Sequence, residues 1–288
     1  MTGNRVLVGH GTENDFVVLP DPDGTRWPED RLDAAMVRRL CERRSGLGGD
    51  GVLRVVRSVH VPDAADALGA DLDRCEWFMD HRNADGSLAE MCGNGIRLFL
   101  HVLVTEGLLD RSACADGVLV GTRGGPRRVG AAADGYWVDM GPARPFGRGQ
   151  AELPGTALPG RAVSMGNPHL VCLTDTDVAT LDLTTPPVVD PGLFPDGVNV
   201  EVVNVLAAGA HIRLRVSERG VGETRSCGTG ACAAAWAALE DAGTPTGTVA
   251  VDVPGGRLTV QVDERTTVLT GPAVVVAAGE LTAEWLAG

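Results

Sequence analysis

Residues 91–109 read MCGNGIRLFLHVLVTEGLL, and residues 226–243 read SCGTGACAAAWAALEDAG. Both stretches open on a cysteine, place a glycine, a polar residue and a second glycine behind it, and then turn apolar. The first continues through Ile96, Leu98, Phe99, Leu100, Val102, Leu103 and Val104 and stops at Gly107; the second is alanine-rich and closes at Gly243. A helix that is apolar nearly all round belongs in a core, so each stretch predicts a central helix enclosed by other elements. Cys92 and Cys227 lie close to half a chain apart. That spacing points to a diverged internal duplication in which each half wraps strands around one helix.

Between these helices the 39 glycines and 17 prolines separate short β-type runs, at 52–56, 117–120, 136–140, 198–205 and 211–216. Such punctuation predicts many short strands. Runs 249–253 and 257–262, joined by Pro254-Gly255-Gly256, form an expected hairpin. Leu32, Ala35, Met36, Arg39 and Leu40 carry a helical spacing that predicts a further helix from about 29 to 44, with Gly46 as its stop. The fold class is therefore α/β (α+β). The glycine- and arginine-rich stretch 121–130, GTRGGPRRVG, reads as a linker between an N-terminal domain, 1–125, carrying Cys92, and a C-terminal domain, 126–271, carrying Cys227.

The 288 residues suit about two domains. With 44% hydrophobic and 22% charged residues the chain is not disordered. Against 25 Lys+Arg stand 38 Asp+Glu, a formal charge of −13. That field repels phosphate backbones and anionic lipid, so neither nucleic acid nor membrane is an expected partner. No apolar run approaches the ~18 residues of a membrane span, and polar residues interrupt the amino terminus before a signal-peptide core forms. A cytoplasmic protein is the expectation. Its seven cysteines, Cys41, Cys75, Cys92, Cys114, Cys172, Cys227 and Cys232, are an odd set without metal-type spacing. They should be free thiols, and no metal site is expected.

The start of a Cys-Gly-x-Gly helix presents unpaired N–H groups backed by about half a positive charge. A carboxylate is stabilised there, and so is a thiolate. Two such starts could hold one carboxylate and flank its α-carbon with two sulfurs. Inverting an α-carbon needs a base on one face and an acid on the other, and two thiols of near-neutral pKa suit that exchange of roles. The fixed N–H dipoles would stabilise the enolate-like charge that develops, so no cofactor is required. A buried cysteine at a helix start is also an ordinary core residue. An anion-binding or thiol-redox module is a further alternative, although redox use would favour a Cys-x-x-Cys pair, absent here.

Five motifs stand in order along nearly the whole chain: HGTENDF at 10–16, RNADGSLAEMCGNG at 82–95, SMGNPH at 164–169, VNVEVV at 198–203 and ERGVGETRSCGTG at 218–230. Together they closely resemble the diaminopimelate epimerase family, amino-acid epimerases that work without pyridoxal phosphate. The resemblance implies two pseudo-symmetric domains, each a β-barrel-like sheet around a central helix, with the active site in the cleft and a last strand, about 272–288, returning to the first domain. It implies epimerisation of LL-2,6-diaminopimelate to meso-diaminopimelate in lysine and peptidoglycan precursor synthesis, with Cys92 and Cys227 as the acid/base pair. His169 and Glu218 would orient or activate the thiols. The backbone at Gly93, Asn94, Gly228 and Thr229 would hold the reacting carboxylate, and Asn14, Asn83, Asn167, Asn199, Glu218 and Arg219 would bind the rest of the small-molecule substrate. Three positions depart from the pattern. Thr229 stands where many members have Ser, Gly51 where some have Gln, and Ala277 where some have an aromatic at a dimer contact, which leaves a homodimer open. Related racemases acting on histidine or proline share the thiol machinery and are the closest alternative; the proline group typically has His where this chain has Asn94.

Overall fold

A computed structural model of the protein describes residues 4–288. The chain divides into two compact units, one running up to Val138 and including Pro272–Gly288, the other Asp139–Gly271. Each is a mixed α+β body in which strands dominate and one long apolar helix supplies the centre.

In the first unit, strand Arg5–Gly11 is paired antiparallel on one side with Asn14–Pro20 and on the other with the late strand Val274–Glu280. Asn14–Pro20 runs parallel to Gly51–Arg57, which pairs antiparallel with Trp77–Asn83. The helix Gly93–Thr105 packs on all of these strands, and its residues from Gly93 through Leu100 are buried without exception. Side chains such as Leu98 and Phe99, each fully buried, contribute about 1.5–3 kcal/mol apiece relative to exposure. Strand Arg5–Gly11 can approach this helix because it offers glycines at the contact. A Cβ on Gly11 would lie 2.7 Å from the Asn94 carbonyl oxygen, and one on Gly9 2.8 Å from Leu98 Cδ1.

The second unit repeats the plan. Strands Arg144–Leu153, Thr156–Ser164 and Pro168–Leu173 form an antiparallel meander. Pro168–Leu173 then lies parallel to Asn199–Ala207, which pairs antiparallel with His211–Glu218. The expected hairpin is Gly247–Val253 with Gly256–Val262. Helix Gly228–Asp241 packs on Thr156–Ser164, Pro168–Leu173, Asn199–Ala207, His211–Glu218 and both strands of the hairpin. Its alanines, 0–1% exposed, keep it thin enough for strands to close around it.

Two local expectations change. The helix expected from about 29 to 44 is only Ala34–Cys41. Asp33 accepts the Met36 N–H at 2.8 Å and so becomes its N-cap, while the residues before it form a turn on the Pro28 carbonyl. At the other end Glu42 leaves helical geometry, with φ −63° and ψ 122°. The stretch 121–130 is not a bare linker either. It forms the turn and second strand of a hairpin, Val118–Gly121 with Arg127–Ala132, closed by the Thr122 hydroxyl donating to the Gly125 carbonyl at 2.6 Å. Gly125, at φ +88°, supplies the left-handed residue that turn needs.

Candidate active site

In the first unit Cys92 is the N-cap of helix Gly93–Thr105, with extended backbone at φ −140° and ψ 121°. Its sulfur accepts the Gly95 N–H at 3.4 Å and meets Asn14 Oδ1 at 3.5 Å. Asn14 arrives there through a constrained hairpin. Thr12 and Glu13 form its two-residue turn with φ +49° and +60°, a left-handed pair usually reserved for Asn and Gly. The strained turn is held from below: Thr12 Oγ1 accepts from Arg97 Nη2 at 3.1 Å, and the same guanidinium donates to Asn94 Oδ1 at 2.9 Å. Asn94 in turn donates to Asn14 Oδ1 at 3.3 Å. The other end of the Asn14 amide donates to Asp50 at 2.8 Å, and Arg43 ties Asp50 to Asp15. Cys92 is half-buried, whereas Asn94 is 1% exposed.

In the second unit Cys227 holds the same N-cap position on helix Gly228–Asp241, at φ −123° and ψ 117°. Its sulfur meets the Thr229 hydroxyl at 3.4 Å. That hydroxyl accepts from Asn167 Nδ2 at 3.4 Å, and Asn167 Oδ1 lies 3.0 Å from His169 Nε2. His169 Nδ1 meets Glu201 Oε1 at 2.7 Å. Strand register makes this possible, since His169 pairs with Asn199 and Val171 with Glu201 on parallel neighbours. Burial pushes the Cys227 thiol well up from its ordinary value, and the charges of Glu218 and Glu201 push it further; the Thr229 hydrogen bond pulls the other way. Burial likewise raises the Glu201 carboxyl, against the opposing pull of His169. Burial and charge thus favour the neutral thiol at Cys227.

The remaining site residues read from sequence fall into two groups. Glu218 is near enough to Cys227 to act on its charge and accepts a short hydrogen bond from the Thr224 hydroxyl. Asn199, by contrast, spends its amide on backbone, accepting the Arg219 N–H at 2.9 Å and donating to the Pro168 carbonyl at 3.3 Å. It shapes the loop that carries Arg219. Arg219 itself is exposed and donates to the Asp196 carbonyl at 3.1 Å. Asn83 is exposed at the end of its strand and donates to Ser87 Oγ at 3.0 Å.

Sequence reading missed Glu201, Asp50, Thr12 and Arg97. Glu201 does sit within VNVEVV, where a lone acid in a run of valines was the available signal. Gly230 also takes a second meaning: a Cβ there would stand 2.5 Å from Glu201 Oε1, so this glycine seats a carboxylate beneath the helix. All seven cysteines stand outside any disulfide. Among the described residues no group of three or more His, Cys, Asp or Glu is placed to hold a metal ion. No helix among them is long and apolar enough to cross a membrane.

Comparison with known proteins adds the following. The family model for diaminopimelate epimerase matches residues 6–145 and 161–276. Proteins named diaminopimelate epimerase from Thermobifida fusca and Mycolicibacterium smegmatis are 51% and 50% identical, each over 96% of this chain and 97% and 96% of their own length. The protein of that name from Mycobacterium tuberculosis is 49% identical over 96% of both chains. Among solved structures, a probable proline racemase from Agrobacterium radiobacter covers 97% of this chain and 93% of its own at TM-score 0.66 and 16% identity. A phenazine biosynthesis protein of the PhzF family from Enterococcus faecalis covers 98% and 100% at TM-score 0.65 and 14% identity. These last two likenesses speak to fold alone.

Proposed function

Because this chain belongs to the diaminopimelate epimerase family, we propose that it interconverts LL- and meso-diaminopimelate, acting as an isomerase through the thiols of Cys92 and Cys227 without pyridoxal phosphate. The observation that carries the proposal is the paired build of the two helix starts, each a cysteine N-cap followed by a glycine-flanked first turn.

In this mechanism one sulfur, as thiolate, removes the α-hydrogen as a proton. The C–H electron pair moves into the carboxylate, which becomes enolate-like, and the N–H groups of Gly93, Asn94, Gly228 and Thr229 stabilise the growing charge. The other sulfur, as thiol, delivers its proton to the opposite face. Cys227, held as a thiol by burial and by two nearby carboxylates, enters as the acid, and Cys92 takes the base role. After turnover the two have exchanged protonation states, and the reverse reaction starts from that arrangement. His169 and Glu218 act on Cys227 through hydrogen bonding and charge. Both sulfurs must stay reduced, which fits a cytoplasmic setting.

Selectivity rests on the end of the substrate that does not react. Arg219 offers a bidentate partner for the distal carboxylate, and the amides of Asn83 and Asn167 add polar partners. Asn199 contributes by fixing the Arg219 backbone. A pocket whose polar groups would be left unpaired rejects an incomplete ligand by up to about 10⁴–10⁵. The test is α-proton exchange into deuterated water with diaminopimelate, lysine, histidine and proline side by side. Diaminopimelate should exchange fastest and lysine, lacking the distal carboxylate, very slowly. Faster exchange of any other substrate would overturn the substrate assignment and keep the thiol chemistry.

A further inference from the structure

Glu201 is an expensive residue to keep. It is fully buried on strand Asn199–Ala207, and among the described residues its Oε2 has no hydrogen-bond partner. A buried polar atom left unpaired costs about 1–3 kcal/mol, and an apolar side chain of the same shape would avoid that cost. The helix above it also gives way, since only a glycine at position 230 leaves room for Oε1. Stability therefore does not account for this carboxylate.

The His169 ring that it meets does. Asn167 Oδ1 can only accept a hydrogen bond, so His169 must carry its hydrogen on Nε2 to meet it at 3.0 Å. Which ring nitrogen carries the hydrogen is set by what the other one meets. Nδ1 meets Glu201 Oε1 at 2.7 Å, and the carboxyl, which burial favours in its protonated form, donates its O–H there and leaves the ring hydrogen on Nε2. With His169 donating to Oδ1, the Asn167 NH₂ is turned toward Thr229. The Thr229 hydroxyl, accepting there, keeps its own hydrogen for Cys227 Sγ when the sulfur is a thiolate, and a lone pair for the S–H when it is a thiol.

We propose that Glu201 is a positioning residue for the second-unit thiol: seated beneath Gly230, it fixes His169 as an Nε2 donor and so orders Asn167 and Thr229 against Cys227. The proposal rests on the reading of Cys227 as a proton-exchanging group. The titratable groups facing Glu201 are His169 on the neighbouring strand, Cys172 on the same strand as His169, Glu218 and Cys227.

Glu201→Gln and Glu201→Met both remove the ionisable carboxyl, but only Gln keeps a donor for Nδ1 and so keeps the hydrogen on Nε2. The titration midpoint of Cys227 is read from the Cβ carbon shift of protein labelled with [3-¹³C]cysteine, its resonance identified by its absence in Cys227→Ser. We expect the midpoint in Glu201→Met to lie about one pH unit above that in Glu201→Gln, because the Thr229 hydrogen bond to the thiolate is lost. The kcat of Glu201→Met should fall about 10²-fold below that of Glu201→Gln, with KM little changed, as expected for a misplaced group. Equal Cys227 midpoints in the two variants overturn the proposal whatever their turnover. Glu201→Leu carries the same expectation should Glu201→Met fail to fold. Wild-type protein inactive on diaminopimelate would remove the substrate assignment and leave the midpoint comparison standing.

Discussion

The two helix starts share a backbone plan and differ in what surrounds the sulfur. Cys92 is half-buried and capped by its own helix, with Asn14 at its side and the Asp50–Arg43–Asp15 cluster beyond. Cys227 is buried, with two carboxylates acting on it and a hydrogen-bonded chain running back to Glu201. A duplicated helix start thus supplies two thiols, and its surroundings make them unlike. On the proposed reaction, which needs one acid and one base, burial and the nearby carboxylates favour the protonated form at Cys227.

The hardest test of this pairing removes one sulfur at a time. Cys92→Ala and Cys227→Ala should each lower turnover by about 10³-fold or more, in line with the loss of a positioned acid or base. Cys41→Ala and Cys114→Ala should remain near wild type in the same steady-state assay. An active Cys227→Ala enzyme would mean that the second unit does not supply the acid.

A smaller effect should distinguish the glycines. A Cβ on Gly230 meets Glu201 Oε1 at 2.5 Å, whereas one on Gly95 meets Cys92 Cβ and Leu53 Cδ2 at ordinary contact, 3.4 Å each. Gly230→Ala should therefore destabilise by about 1–3 kcal/mol, as overpacking does, and Gly95→Ala by less. Chemical denaturation of both variants checks the order, and the reverse order would remove Glu201 from beneath the helix.

The two units should also respond to pH at opposite ends of the scale. Burial pushes His81 of the first unit from the usual 6.5 down to about 4, and among the described residues neither ring nitrogen has a hydrogen-bond partner. The unfolded chain then binds this proton first, so stability is lost as pH falls from 6.5 toward about 4, by up to ~3 kcal/mol. Burial, with the Glu201 charge, pushes Cys172 of the second unit from 9.0 up to about 12. Here the unfolded chain releases the proton first, and stability is lost as pH rises above 9.0. Urea midpoints across pH should show His81→Leu gaining on wild type in acid and Cys172→Val gaining in base. A His81→Leu difference that is flat with pH would mean the histidine is solvated.

The smallest expected effect concerns Glu201. A carboxyl raised by burial contributes stability below its ordinary value of 4.5 and loses it as pH rises. Glu201→Gln should match wild type near pH 4 and become the more stable protein by neutral pH. An advantage that shrinks with rising pH would contradict the buried, half-paired carboxylate.

Much of this architecture was legible in the residues themselves. The Cys-Gly-x-Gly starts, the apolar helices behind them and the hairpin at Pro254-Gly255-Gly256 rest on local physics: capping, glycine turns and hydrophobic periodicity act within a few residues. Strand Arg144–Leu153 had no such signal, because its residues are mostly exposed and do not alternate. It is a strand because its neighbours Thr156–Ser164 and Val188–Val189 pair with it. The site divides in the same way. The sequence by itself determined which residue types cap the helices and which polar side chains accompany them. Only the tertiary structure decided that Asn199 serves backbone, that Thr12 and Arg97 brace Asn14, and that Glu201 lies under Gly230 against His169. The placement of Asn199 and Glu201 depends on the register of their strand against Pro168–Leu173, and a one-residue slip there would turn both side chains to the opposite face; the brace under Asn14 depends on helix Gly93–Thr105 packing against strands that precede it in the chain.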